Sequence, residues 1–128
     1  MGANDRSLNI VGESFKNTDG GSRQAEIKRC RPGERVELVR EPGNKHDEMA
    51  IAVLSARGIQ IGYIASDHAA WLAPKLDRGD RVPAIVERIN GGEPGKPSLG
   101  VCIRVNWRGE EVKKPGRRGL LARLFGSD

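Results

Sequence analysis

Hydrophobic and polar residues alternate most cleanly late in the chain. There Leu99, Val101, Ile103, Val105 and Trp107 share one parity, and Gly100, Cys102, Arg104 and Asn106 the other. A period of two is that of a half-buried β-strand. The stretch RVELVRE, around Val36 and Leu38, repeats the pattern. Ala50 to Leu54 is instead a short unbroken apolar run, as expected of a strand covered on both faces. In IQIGYIA, Ile59, Ile61 and Tyr63 alternate with Gln60 and Gly62, and Arg57-Gly58 before it supplies hairpin chemistry. DRVPAIVERIN sets Val82, Ala84 and Val86 on one face, although Pro83 has no N–H for a ladder and so predicts an edge or a bulge. LNIVGESF is the sixth strand candidate.

Helical periodicity is sparser. Ala69, Leu72, Ala73 and Leu76 recur at i, i+3, i+4 and i+7, with Ser66 as the expected N-cap and Asp67 at the positive end of the helix dipole. Pro74 falls inside that stripe and predicts a kink or a restart. Residues 22–30, SRQAEIKRC, predict a shorter helix between glycine and proline punctuation. INGGEPGKPS reads as a mobile hairpin loop between the fifth and sixth strands. Six short strands with one or two short helices describe a mainly β protein, a small closed or nearly closed barrel with helical plugs. Closure removes the exposed sheet edges that a short chain has little material to cover.

Composition changes this picture only at the margins. At 128 residues, 37% hydrophobic and 30% charged, the chain suits one soluble domain with a real core. No apolar run approaches the ~18 residues of a membrane span, and the opening MGANDRSLNI lacks the order of a secretory signal, so the expected location is cytoplasmic. Cys30 and Cys102 are far apart and belong to no Cys-x-x-Cys pair, which signals neither a disulfide framework nor a metal site. The formal charge is +5, but residues 107–128 carry six basic and three acidic side chains, net +3. The remaining +2 leaves the domain nearly balanced, so nucleic acid, if bound, is expected at a small site.

Several chemistries are disfavoured. None of the 17 glycines falls in a phosphate-cradling loop ahead of a helix, since Pro97 follows the single Gly-Lys. No G-x-S-x-G elbow occurs. Asp77 and Asp80 lie in the turn LDRGDRV, where Asp favours local backbone hydrogen bonds over catalysis. No cofactor is implied.

What stands out is REPGNKHDEMAIAVL, residues 40–54, which sets a histidine beside two carboxylates directly before the apolar run. With VGESF (Val11 to Phe15) and GIQIGYIASDHAAWLAPKLDRGDRVPAIVERI (Gly58 to Ile89), it resembles the HIRAN domain over about residues 8–106. The most specific part is the loop P-x-N-x-[YH]-D-x-N-A-[IV], matched by Pro42, Asn44, His46, Asp47, Ala50 and Ile51, with Met49 in place of the usual Asn. The resemblance implies an OB-like barrel that captures 3′-OH ends of single-stranded DNA in repair or replication-fork processing. It places the stacking rings on Phe15, His46 and Tyr63 and the acceptor for the 3′-hydroxyl on Asp47. Stacking on flat side chains reads no sequence, which suits an end binder. A carboxylate opposes DNA phosphates and makes sense in such a groove only when it faces a donor. Eukaryotic members place a basic residue before the first aromatic; here that position is Ser14, and Lys16 and Lys45 are the nearby candidates to hold a phosphate. Binding is therefore expected to be weaker and more salt-sensitive than with a full set of contacts.

Each residue has a plainer alternative. Asp47 can serve the amides of its own turn, His46 can be an exposed loop residue, and Phe15 and Tyr63 can be core or rim aromatics. Two other function classes stand beside the DNA-end module: a protein-interaction adaptor on the same barrel, and a metal-dependent hydrolase or nuclease using His46, Asp47 and Glu48. The domain reading is a flexible N-terminus over 1–7, a barrel over 8–107 and a basic, partly apolar tail over 108–128. In that tail Leu120, Leu121, Leu124 and Phe125 share a helical face among Arg117, Arg118 and Arg123. LLARLF there loosely resembles the Leu-Phe motifs with which bacterial replication proteins bind the sliding clamp, making a replication or repair protein the candidate partner.

Overall fold

The apolar runs become six strands and the two helical stretches two helices: β1 (Asp5–Val11), α1 (Arg23–Arg29), β2 (Arg35–Arg40), β3 (Ile51–Leu54), β4 (Gln60–Ile64), α2 (Ser66–Asp77), β5 (Ala84–Glu93) and β6 (Lys96–Asn106). The structure, a computed structural model, describes residues 1–116, so the expected tail helix around Leu120 to Phe125 lies outside the described residues. All six strands pair antiparallel in the order β1-β4-β3-β2-β5-β6, and β6 returns to β1 to close a barrel. Its interior holds Leu8, Ile51, Val53, Ile61, Val86, Ile103 and Val105. Leu72 of α2 and Ile27 of α1, both fully buried, plug it from outside.

β3 is buried along most of its length, in keeping with its unbroken apolar run. Gly62, in β4, is where β1 approaches closely: a Cβ there would collide with Ile10 Cγ2 and lie 2.6 Å from the Val11 carbonyl oxygen. Pro83 lies just before β5, where no ladder N–H is needed, and its carbonyl accepts from Asn106 N at 3.0 Å.

Several sequence expectations are corrected. β1 begins at Asp5, inside the segment expected to be a flexible terminus, because Asp5, Arg6 and Ser7 pair with Asn106, Val105 and Arg104. The tail is not separate from residue 108 onward: Val112 is buried, Lys113 N donates to Asp5 Oδ2 at 3.1 Å, and the Lys113 carbonyl accepts from Arg104. INGGEPGKPS is mostly a paired ribbon rather than a loop, with Asn90 opposite Gly100, Gly91 opposite Leu99 and Glu93 opposite Lys96. Positive φ at Gly91 and Gly92 admits the irregularity that a pattern of side chains does not reveal. Ile59 is exposed, since it belongs to the hairpin turn before β4. The N-cap of α2 is Ala65, not Ser66, with no side-chain cap; Ser66 is already helical. No restart occurs at Pro74, which lies inside one continuous helix. The Ala70 carbonyl, which loses its intrahelical donor there, belongs to an exposed residue that water can reach.

The polar network that fixes α1 matters for the site. Ser22 caps α1 by accepting from Ala25 N at 3.1 Å. Glu26 of α1, 3% exposed, accepts from the Ser55 hydroxyl and from Arg57 Nε, each at 2.6 Å, and Arg57 also pairs with Glu34 at 3.0 Å. Helix α1 is thereby pinned to the β3–β4 turn. Burial alone would raise the Glu26 carboxyl, but the hydrogen bonds from Ser55 and Arg57 outweigh it and hold it below the ordinary value. Glu34 is lowered chiefly by its hydrogen bond from Arg57. Depressed folded-state values mean a contribution that is complete above the unfolded value of 4.5 and is lost as the pH falls below it toward the folded values. Melting temperature recorded downward from neutral pH is therefore expected to fall steeply once the pH passes that value, and Glu26→Gln is expected to flatten the fall. An unchanged acid limb in the variant would remove Glu26 from this account.

Candidate functional site

A groove of about 630 Å³ opens where the end of β1, the start of α1, the 41–50 loop and the junction of β4 with α2 meet. The loop is shaped by its own short polar side chains. Asn44 Oδ1 accepts from the backbone N–H groups of His46 (2.9 Å) and Asp47 (3.2 Å), while its Nδ2 donates to Glu41 Oε1. Glu41 N donates to the Ala50 carbonyl at 2.9 Å and closes the loop. Arg40 donates to the same carbonyl and grips Asp77 of α2 through two nitrogens at 2.9 and 3.3 Å. The Tyr63 hydroxyl donates to Glu41 Oε1 at 2.8 Å, so the β4 ring and the loop are fixed to one another.

Phe15, His46, Asp47 and Tyr63, distant in sequence, all line this groove. Phe15 is 68% exposed, a large ring that serves no core. Gly12 permits the convergence: at φ +71° it sits where an added Cβ would meet Arg23 Nη1, the Phe15 ring and the Tyr63 ring, all within 3.9 Å. Asp47 does serve its own turn, but with one oxygen, since Oδ1 accepts from Met49 N at 2.9 Å. Among the described residues Oδ2 has no hydrogen-bond partner, and Asp47 is one of the residues that line the groove. The floor is apolar, with Val11, Ala50, Ile64 and Ala65.

Lys16 and Lys45 are not among the residues that line the groove; both are exposed, and Lys16 forms an isolated bridge with Ser22. Among the described residues the cation that lines the groove is Arg23, which sequence reasoning missed. This first residue of α1 is 8% exposed, donates through Nε to Asn17 Oδ1 (2.7 Å) and through Nη1 to the Gly12 carbonyl (2.8 Å), and lies 5.4 Å from the centre of the Tyr63 ring. Nothing local in the sequence marks it, because all three partners come from other parts of the chain. Among the described residues no group of three or more His, Cys, Asp or Glu is placed to hold a metal ion, and His46, Asp47 and Glu48 do not form one. Among the described residues, flat rings around an apolar floor, the carboxylates of Asp47 and Asp67 and one guanidinium suit a ligand that combines a planar ring, a hydroxyl donor and an anionic group held by the guanidinium.

Comparison with known proteins agrees with this architecture. The model of the HIRAN domain family matches residues 9–112. The crystal structure of the HIRAN domain of human HLTF shares the fold at a TM-score of 0.57 and 20% identity, covering 79% of this chain and 72% of that one. A crystal structure of a Lactobacillus plantarum protein does so at a TM-score of 0.61 and 27% identity, covering 79% and 96%. Among curated proteins, 44 residues, 34% of the chain, are 52% identical to a putative SWI/SNF-related matrix-associated actin-dependent regulator of chromatin subfamily A member 3-like 1 from Arabidopsis thaliana; the match takes in 5% of that protein's length.

Proposed function

The chain belongs to the HIRAN domain family, and on that premise we propose that it is a DNA-binding domain, not an enzyme, whose groove captures the free 3′-hydroxyl end of a single strand. Repair or replication-fork processing is the setting this reading implies. The observation that carries it is the convergence of Phe15, His46, Asp47 and Tyr63 on one groove with Arg23 at its edge. Phe15, His46 and Tyr63 hold the terminal base by stacking. Asp47 Oδ2 accepts from the 3′-hydroxyl, and Arg23 balances the nearest phosphate, the role that the basic residue absent at position 14 would otherwise fill.

An internal nucleotide offers Asp47 no hydroxyl, and a 3′-phosphate brings a second negative charge against it. Fluorescent single strands ending in a 3′-hydroxyl are therefore expected to bind ~10-fold or more tightly than the same strands ending in a 3′-phosphate, the cost of opposing like charges. Asp47→Asn is expected to bring that ratio toward one. Equal affinity of the unaltered protein for both ends refutes the gate, and no binding of either at low salt favours the adaptor reading instead.

A further inference from the structure

We infer that one half-buried flank of α2, together with the segment that follows β6, is a second binding surface carrying the nucleotides on the 5′ side of the strand end held in the groove. The inference rests on the reading of the groove as a strand-end site and extends it along the molecule.

The chain has two tryptophans, and the fold sets both on this surface. Trp71 lies on α2, and Trp107 follows β6; each is half-buried. Neither is surrounded only by apolar groups. The Arg6 guanidinium lies 5.1 Å from the centre of the Trp71 ring. Lys75 Nζ and the Arg108 guanidinium lie 5.7 and 4.9 Å from the Trp107 ring. Lys75 is one turn beyond Trp71 on the same helix face, so it joins the two rings into one strip. Trp107 N donates to the Asn4 carbonyl, which brings the end of β6 beside the strand that carries Arg6. A hollow of about 490 Å³ at this end is lined by Lys75, Asp80, Arg81, Trp107, Arg108 and Gly109. Among the described residues its one carboxylate, Asp80, is held by Arg78 at 2.7 Å, which leaves the cations of the hollow dominant.

The strip is continuous with the groove. Ser66 and Asp67, the first residues of α2, line the groove itself. His68 comes next and meets Trp71 edge to face at 6.2 Å between ring centres. From Ser66 to Lys75 the helix advances about 14 Å, a path that passes the Asp67 carboxylate, 3.9 Å from His68, and then runs over the Trp71 ring to Lys75, away from Asp47. Rings that stack any base and cations that follow the backbone are what a non-specific single-strand track requires, and OB-like folds commonly engage ~4–16 nucleotides. The commitment to single-stranded nucleic acid as occupant comes from this charge and from the direct continuity with the groove. An acidic protein would find the charge but has no use for the spacing of rings.

The test uses the full chain with 3′-hydroxyl oligothymidylates of about three and about ten residues, read both by affinity and by tryptophan fluorescence. The longer strand is expected to bind ~5-fold or more tightly and to quench the tryptophans, the shorter to bind without quenching. Lys75→Gln and Trp107→Leu are each expected to pull the longer strand down toward the affinity of the shorter, with the shorter unchanged. Lys75→Gln is further expected to reduce the salt slope of the longer strand by ~1. Equal affinity for the two lengths, or a length preference untouched by either variant, overturns the track while leaving the end site intact. Quenching that depends on Lys75 and Trp107 but is indifferent to a 3′-phosphate supports the track and counts against the end site alone.

Discussion

Arg57→Met is expected to destabilise the barrel by about 3 kcal/mol, the lower end of the range for stranding a buried charge. Arg57 is the cation for two carboxylates at once, Glu26 at 2.6 Å and Glu34 at 3.0 Å. Glu26 is the sensitive partner, because its side chain is 3% exposed and has water on almost no side. The Ser55 hydroxyl would remain to it, one neutral donor in place of a charged pair. The lower end of the range applies because Arg57 itself is 26% exposed and water can partly follow its removal. For a chain of this size that corresponds to a fall in melting temperature of ~10 °C or more. Glu26→Gln in the Arg57→Met background is expected to recover part of the loss, since it removes the uncompensated charge rather than another contact. A melting temperature unchanged in Arg57→Met would show that α1 is held by packing alone.

Arg23→Gln is expected to weaken single-strand binding by ~10-fold to ~100-fold, the worth of a hydrogen-bonded charge in a partly enclosed site. Two of its donors are committed, to Asn17 and to the Gly12 carbonyl. Nη2 has no partner among the described residues, and Arg23 is one of the residues that line the groove. A glutamine retains some of the internal hydrogen bonding but not the charge, so the variant should also show a salt slope smaller by ~1. Arg23→Lys keeps the charge and should keep the slope. A single ammonium does not span Asn17, Gly12 and a phosphate together, so affinity should still fall. Unaltered affinity and slope in Arg23→Gln would move the phosphate contact elsewhere, with Lys16 and Lys45 the next residues to vary.

The parts of the site that could be read directly are those made by neighbours in sequence. Asn44, His46 and Asp47 lie within one loop, and the turn that Asn44 builds follows from its side chain reaching amides two and three residues on. Phe15 and Tyr63 are marked by the resemblance, not by periodicity; by pattern alone Tyr63 is one more residue of an alternating strand. Arg23 was invisible for the same reason that it is effective. Its guanidinium is buried among Gly12, Asn17 and Tyr63, and no spacing along α1 encodes them. Trp107 likewise meets Asn4 and the strand that carries Arg6 only through the pairing of β1 with β6.

The chain's own order of residues determined six strands, two helices and the shape of the 41–50 loop, because alternation, helical periodicity and an Asx turn are relations among residues a few positions apart. Where the sheet closes, where β1 begins, how far residues 108–113 dock and which cation borders the groove were decided by tertiary structure. Those outcomes depend on pairings such as Asp5 with Asn106 and Lys113. Their strength comes from burial, and burial exists only after distant segments have come together.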